Sequence, residues 1–273
     1  MRRFAVLGNP IAHSKSPEIH GRFAAECGHE IDYQRVLVNA GQIDTVVTDF
    51  FTAGGVGLNV TAPFKGEAFA VAQVRTPAAV DAQAANTLWQ DDQGRICAHT
   101  TDGSGLLRDL EVNLGWGITD ANILLLGAGG AMRGIVSALC EQIPRSIHVA
   151  NRTTQRAFDL IRLFEGRGKL TASGLDAIPK TPWDLVINGL SSGWQEGFPD
   201  IAIPALAAAA SAYDLIYSDQ PTAFIQDLKP SFLALKTKLS LRCLWIHLLE
   251  LPLKLFFLNL TNVISKRFFY IFS

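Results

Sequence analysis

The stretch "NILLLGAGGAMRG", residues 122–134, constrains the fold of this chain more than any other. A continuous apolar run stops abruptly in glycines and resumes as an apolar helical segment, "MRGIVSALC", and a second apolar run follows at residues 146–150. Short apolar runs bounded by turn residues read as buried strands, so strand, glycine turn, helix and strand form one βαβ unit. Such a unit calls for a parallel sheet with helices on its faces. Residues 184–189, "DLVING", and 212–217, "AYDLIY", are predicted as the third and fourth parallel strands. Open sheets of this kind take ligands beyond the carboxyl ends of their strands, which puts residues 188–192 and Tyr217 near the expected crevice.

Backbone N–H groups at a helix start attract anions, and glycines let a pyrophosphate approach the main chain. Gly127 and Gly129 fit the first two positions of G-x-G-x-x-G, but the third is Met132, with Gly130 and Gly134 nearby. The turn alone is therefore a weak signal, and its context adds to it. An NAD-binding unit normally ends its second strand in an acidic residue that bonds the ribose 2′-hydroxyl. Here the strand ends "ANRTTQR", with Asn151, Arg152, Thr153 and Arg156 and no carboxylate. Two guanidiniums suit a 2′-phosphate through charge-assisted hydrogen bonds, which points to NADP rather than NAD. The plain alternative is a solvated helix start.

The N-terminal half alternates in the same way. Residues 4–8, 33–38 and 56–60 read as strands, a helix is predicted over 42–51, and Ser16 and Pro17 read as the N-cap and first position of another helix, with Ile19 and Phe23 on one face. The segment "SGLLRDLEVNLG", residues 104–115, reads as a helix ended by Gly115. The expected fold class is α/β, with a substrate-binding domain over 1–103 and a Rossmann-like domain with a parallel sheet over 104–227. A length of 273 residues suits two domains, and a net charge of −1 gives no electrostatic case for nucleic acid. Four cysteines without a C-x-x-C suggest reduced thiols and neither a disulfide framework nor a metal site. The apolar run after Met1 is too short for a signal peptide, so a cytoplasmic setting is expected.

Polar residues gather where the N-terminal strands end. In "NPIAHSKSP", Ser14 and Ser16 flank a helix start, whose dipole favours an anion such as a carboxylate, although Ser16 could equally be only a cap. His13, with no second ligand at metal spacing, reads as a structural or surface residue. "NVTAPFK" ends a strand in Asn59 and Thr61, which can read hydroxyls, and then presents Lys65; "AANTLW" adds Asn86 and "HTTDGSG" adds Asp102. Such a set suits a polyhydroxylated small molecule. A lysine can pass a proton to a carbonyl or take one from an alcohol. An adjacent Asp102 would fix it and favour the ammonium, while desolvation would act the other way. On these residues alone, a solvated surface lysine is the simpler reading of Lys65.

Eight segments in order, "GNPIAHSKSPEIH", "GLNVTAPFK", "AANTL", "TDGSGLL", "LLLGAGGAMRG", "NRTTQRA", "INGLSSG" and "YDLIYSDQPTAF", resemble the NADP-dependent shikimate dehydrogenase family over residues 3–226. The resemblance implies reversible reduction of 3-dehydroshikimate to shikimate, with no metal. It implies that Ser14, Ser16 and Thr61 hold the substrate carboxylate, that Lys65, Asn86 and Asp102 contact the ring hydroxyls, and that Lys65 and Asp102 are the catalytic pair. Gly127, Ala128, Gly129, Gly130 and Ala131 would bind pyrophosphate. Asn151, Arg152, Thr153 and Arg156 would surround the 2′-phosphate, with Leu215 completing the cofactor set. The implied partner is the small-molecule substrate, with a homodimer as the assembly the family admits. A quinate-using enzyme is the nearest alternative, against which Arg152 and the two serines weigh.

After Phe224 the resemblance fails. The family pattern G-x-x-M-L-x-x-Q-A is missing: there is no glycine after Gly197 and no glutamine after Gln226. Residues 228–273 are rich in leucine and phenylalanine with one acidic residue, Glu250. The break suggests a shifted frame, an altered gene end or a degraded copy, and with it an inactive relative that keeps NADP binding. Arg242, His247, Glu250, Pro252, Lys254 and Asn259 interrupt the tail too often for a clean membrane span.

Overall fold

A computed structural model describes residues 1–190, 201, 203–216, 222–234 and 241–243. It divides into two compact units, the first holding Met1–Thr101 and the second beginning at Asp102. Both are α/β. Among the described residues no helix is long and apolar enough to cross a membrane.

The first unit runs β1 (Arg2–Gly8), α1 (Ser16–Glu26), β2 (Ile31–Leu37), α2 (Ile43–Thr52), β3 (Gly57–Val60), α3 (Lys65–Val71), β4 (Val74–Arg75), α4 (Pro77–Ala82), β5 (Thr87–Gln90) and β6 (Ile96–His99). Its sheet has the order β2-β1-β3-β5-β6-β4. β1 is parallel to both β2 and β3, and β5 is antiparallel to β3 and β6. Alternation sorts the central strands by face. Ala5, Leu7, Leu58 and Val60 join Val47 and Phe51 of α2 and Ala68 of α3 in one core. Phe4 and Val6 belong to the opposite face, with register partners Tyr33, Arg35 and Asn59. That face carries the polar residues of the site.

The second unit holds α5 (Asp102–Arg108), β7 (Asn122–Leu126), α6 (Gly130–Glu141), β8 (Ser146–Ala150), α7 (Thr154–Arg162), β9 (Leu170–Ser173), β10 (Trp183–Asn188), β11 (Leu206–Asp214), α8 (Ala223–Ala234) and β12 (Leu241–Cys243). Every strand pairs parallel, in the order β12-β11-β10-β7-β8-β9. This is the doubly wound dinucleotide-binding order, with its switch point between β7 and β10. Both faces of β7 are buried. Ile123 and Leu125 pack with Met132, Ile135 and Val136 of α6, while Leu124 and Leu126 pack with Phe224 and Ile225 of α8.

Three local expectations are corrected. Ser16 is the first helical residue of α1, and Lys15 occupies the N-cap without a side-chain cap bond. The helix predicted over 104–115 is α5 followed by a π turn, Asp109–Asn113. The buried Asp109 carboxylate accepts from Tyr213 Oη at 2.7 Å and Asn113 Nδ2 at 2.7 Å, and Leu114 N reaches back five residues to the Asp109 carbonyl. The fourth parallel strand starts earlier than residue 212 and stops at Asp214, because the Asp214 carboxylate accepts from Ile216 N at 3.0 Å and turns the chain. Ser191, Ser192 and Tyr217 lie outside the described residues. So does most of the tail after residue 234, apart from β12.

Glycines set the approach of α5 to α6. A Cβ on Gly103 would lie 2.6 Å from Ala138 Cβ and 2.7 Å from the Gly134 carbonyl oxygen, whereas one on Gly105 meets nothing within 4 Å. Gly103→Ala is therefore expected to destabilise the second unit by about 1–3 kcal/mol. Gly105→Ala, in the same helix, is expected to be neutral or stabilising by up to about 1 kcal/mol through helix propensity. Denaturant titration of both variants checks the contrast, and equal effects would contradict the packing assigned to Gly103.

Candidate functional site

In the first unit, β1 and β3 end side by side and both chains then turn through cis peptides, Asn9–Pro10 and Ala62–Pro63. Asn9 N donates to the Ala62 carbonyl at 3.1 Å and Thr61 N to the Leu7 carbonyl at 2.9 Å. A Cβ on Gly8 would fall 2.6 Å from Thr61 Cγ2 and 2.8 Å from Ile11 Cδ1, so the loops interlock only because position 8 has no side chain. Phe64 N closes the turn onto the Thr61 carbonyl at 3.0 Å, and the buried Phe64 ring anchors it. Lys65, half-buried, is then the first residue of α3.

The Lys65 carbonyl accepts from Ala85 N at 2.8 Å, and the neighbouring Asn86 carbonyl accepts from Val60 N at 2.8 Å. Thr61, Lys65 and Asn86 are thereby held on one backbone frame. Asn86 also grips the end of the unit: its Nδ2 donates to Thr101 Oγ1 at 2.9 Å and its Oδ1 accepts from Thr101 N at 3.2 Å. Asp102 is the next residue in the chain and opens α5. There its carboxylate lies against Gly134, where a Cβ would fall 2.6 Å from Oδ2. Lys65 belongs to the first unit and Asp102 to the second.

The serine loop is built as tightly. Ser14 is buried, its Oγ accepts from Ser16 N at 3.3 Å, and its hydroxyl meets the Ser16 hydroxyl at 3.2 Å. Arg35 Nε donates to the Ser14 carbonyl at 2.6 Å, and both Arg35 and Lys15 pair with Glu18. Tyr33 donates its hydroxyl proton to Asn59 Oδ1, and burial pushes its phenol well above the usual range. Asn59 Nδ2 donates to the Asn86 carbonyl at 3.2 Å. Both ends of the Asn59 amide are thus engaged inside the protein, and Oδ1 keeps a second lone pair for a further donor. His20 stacks on Tyr33 at 4.7 Å between centroids, and burial lowers its imidazole to about 4.

The second unit presents a different edge. Gly127 follows β7 at φ +114, and a Cβ there would fall 2.9 Å from the Gly189 carbonyl oxygen beyond β10. A Cβ on Gly189 would in turn meet Met132 Cε at 2.4 Å and Leu215 Cδ1 at 3.2 Å. Ala128, Gly129, Gly130 and Ala131 continue into α6, whose N-cap Gly129 has no side chain to cap the first N–H groups of the helix. After β8, Asn151 Nδ2 donates to the Thr153 carbonyl at 2.9 Å, and Thr153 caps α7 without a side-chain bond. Arg152 and Arg156 are exposed, and among the described residues neither has an acidic partner. A phosphate cradle with two free guanidiniums and no carboxylate at the strand end fits a phosphorylated dinucleotide.

The structure thus groups Ser14, Ser16, Thr61, Lys65 and Asn86 in the first unit. It groups the glycine turn, Leu215 and the Asn151 to Arg156 loop at the carboxyl edge of the second. Sequence reasoning missed Gly8, Tyr33 and Arg35, and placed Gly189 only within the 188–192 segment near the crevice. Gly8 and Gly189 each end a predicted strand, a position where a glycine signals close approach. Tyr33 and Arg35 carry no such signal.

Residues 6–88 match the family described as the shikimate dehydrogenase substrate binding domain, and residues 111–192 that of shikimate / quinate 5-dehydrogenase. A shikimate dehydrogenase (NADP(+)) of Alkalilimnicola ehrlichii is 45% identical over 82% of this chain and 82% of its own length. Among solved structures, shikimate 5-dehydrogenase of Thermus thermophilus in complex with NADP(H) and shikimate superposes with a TM-score of 0.76 at 29% identity, covering 96% of this chain and 94% of that one. An Ael1 enzyme from Pseudomonas putida superposes at 0.77 with 34% identity over 99% and 97% of the two chains.

A histidine whose folded pKa is depressed stabilises the fold above its unfolded value near 6.5, and that contribution is lost as pH falls through the folded value. For His20 the window runs from 6.5 down to about 4. Its ring resonances are expected to stay in the neutral position at pH 5 and to move only near pH 4. Titration near 6.5 in an NMR series would show that the ring is solvated rather than packed on Tyr33.

Proposed function

The chain belongs to the shikimate dehydrogenase family, and from that membership we propose that it catalyses the reversible NADP-dependent reduction of 3-dehydroshikimate to shikimate. The observation that carries the reading most directly is the backbone frame that fixes Thr61, Lys65 and Asn86 together at one strand edge. Bound NADPH supplies the hydride that reduces the ketone carbon, and NADP+ accepts it in reverse. The protein supplies position, charge and one proton.

Ser14, Ser16 and Thr61 hold the substrate carboxylate, and Lys65, Asn86 and Asp102 hold the ring oxygens. Lys65 gives a proton to the carbonyl oxygen as the alcohol forms and takes it back in oxidation, so hydride plus proton balance the ketone-to-alcohol change. Asp102 orients the ammonium. On the cofactor side, the main chain of Gly127, Ala128, Gly129, Gly130 and Ala131 receives the pyrophosphate at the start of α6, with Leu215 alongside. Asn151, Arg152, Thr153 and Arg156 take the 2′-phosphate.

The composition break at residue 228 favours a second reading, in which the chain binds NADP without turnover because the glutamine-bearing segment is missing. The test is NADPH formation from shikimate and NADP+ by the 273-residue chain, beside a version with a family-type C-terminus. Activity in both supports the enzyme; activity only in the restored version supports the second reading. Relative rates with quinate decide the substrate.

Two substitutions probe the assignments. Lys65→Ala is expected to lower kcat/KM by about 10²–10⁴-fold while NADP+ binding stays within about twofold. Near-normal turnover would remove Lys65 from its role. Arg152→Ala is expected to raise the Kd for NADP+ by about tenfold and to leave NAD+ within about twofold, as measured by calorimetry. Equal losses for both dinucleotides would contradict the 2′-phosphate assignment.

A further inference from the structure

The carboxyl edge of the second sheet holds a buried acid whose charge its hydrogen bonds do not require. Each chain leaving a strand there donates its next N–H to the last carbonyl of the neighbouring strand: Gly127 N to Ala150 at 2.8 Å, Gly189 N to Leu126 at 2.8 Å and Leu215 N to Asn188 at 2.9 Å. Asp214, fully buried, ends β11 one residue before Leu215. Its Oδ1 accepts from Asn188 Nδ2 and from Ile216 N, each at 3.0 Å, and its Oδ2 accepts from the Thr222 hydroxyl. The Asn188 amide is fixed in that sense, because its own Oδ1 accepts from Leu190 N at 3.1 Å. Among the described residues Asp214 forms no ion pair with a basic side chain.

An amide in place of this carboxylate would satisfy the same neighbours. Its oxygen would accept from Asn188 and Ile216, and its NH2 would donate to the Thr222 hydroxyl, which can accept as well as donate. A buried carboxylate without a counter-ion costs far more than a hydrogen-bonded amide. Burial pushes the Asp214 carboxyl above its usual range, and the donors from Thr222, Ile216 and Asn188 pull it back. Hydrogen bonding therefore accounts for the shape of this side chain and leaves its charge without a structural purpose.

The cofactor side supplies one. With the pyrophosphate at the glycine turn after β7 and the 2′-phosphate at the loop after β8, the nicotinamide half of the dinucleotide would run the other way, over the ends of β10 and β11. We propose that the Asp214 carboxylate sets the preference of this crevice between the two forms of the cofactor, favouring NADP+ over NADPH. The nicotinamide ring of NADP+ carries a positive charge that NADPH lacks, and a carboxylate shielded from water acts on it more strongly than an exposed one. The same charge appears on the ring as hydride leaves NADPH for the ketone carbon, so a fixed anion at the end of β11 also favours that transfer. The inference rests on the NADP reading given above and not on turnover.

The test is Asp214→Asn in the full chain, with calorimetric Kd values for NADP+, NADPH and 2′,5′-ADP, which keeps the 2′-phosphate and lacks nicotinamide. NADP+ is expected to weaken about three- to tenfold relative to NADPH, with 2′,5′-ADP within about twofold of the unmodified chain. An unchanged ratio of NADP+ to NADPH overturns the proposal, whether both weaken equally, as a purely structural role requires, or neither does. Thr222→Val disturbs the same hydrogen bonds and keeps the charge, so it is expected to leave the ratio within about twofold. A shift as large as that of Asp214→Asn would assign the effect to the network and overturn the role of the charge. Should Asp214→Asn lose 2′,5′-ADP as well, the unmodified chain decides: a buried charge is little screened, so its NADP+ to NADPH ratio is expected to hold within about twofold between roughly 0.05 and 0.5 M salt. A ratio that moves with salt would overturn the proposal. If the unmodified chain bound none of the three ligands, the NADP reading would fail and this inference with it, an outcome distinct from intact binding with the wrong ratio.

Discussion

Each of the two sheets depends on a glycine where neighbouring parallel strands end. At Gly8 the missing side chain leaves room for Thr61 and Ile11, and at Gly127 it leaves room for the Gly189 carbonyl. Any Cβ would push the strand-end loops apart by a sizeable fraction of an ångström, and the hydrogen bonds that join them, Asn9 to Ala62 and Thr61 to Leu7, could not form at their observed lengths. In the first unit that closure sets where Lys65 enters α3. In the second it brings the start of α6 beside the end of β10, the place where a doubly wound sheet takes its ligand.

The strand ends also share a chemical solution. A chain leaving a sheet has to satisfy backbone groups that no longer have a strand partner, and side-chain amides and carboxylates do this at short range. In the second unit Asn188 Oδ1 accepts from Leu190 N, Asp214 accepts from Ile216 N, and the two side chains bond each other at 3.0 Å. In the first, Asn59 and Asn86 connect β3 to the end of β6 through Thr101. Polar residues at a sheet edge can therefore be framework rather than ligand contacts. Asn59, Asn188 and Asp214 each have such framework bonds.

Much of this was legible in the sequence wherever a local pattern has one physical meaning. The apolar run into glycines gave β7, the turn and α6, and the lack of an acid after β8 set Arg152 and Arg156 apart, because both signals lie within a few residues of one another. The π turn at Asp109 was not legible, since its cause is Tyr213, far along the chain. The same holds for Tyr33: its bond to Asn59 depends on the register of β1 with β2 and β3, which brings the two near. Lys65 stood between the two cases. Its residues alone suggested a surface lysine, its proposed role came from the family resemblance, and the structure adds the backbone frame of Ala85 and Asn86 that fixes its place.

The two anionic groups that the proposed ligands carry would be recognised by opposite means. Beside the serine loop the cations Lys15 and Arg35 share one carboxylate, Glu18, which offsets only part of their charge, and the hydroxyls and the start of α1 would add hydrogen bonds to a carboxylate ligand. At the end of β8, Arg152 and Arg156 face solvent without acidic partners among the described residues. Charge–charge attraction at an exposed site is screened by salt over roughly 8 Å at physiological ionic strength, whereas hydrogen bonding from buried hydroxyls is screened much less. Dinucleotide selection by the proposed 2′-phosphate site would thus vary with ionic strength. Carboxylate selection at the proposed subsite would depend more on the geometry of the Ser14 and Ser16 hydroxyls, which already meet at 3.2 Å.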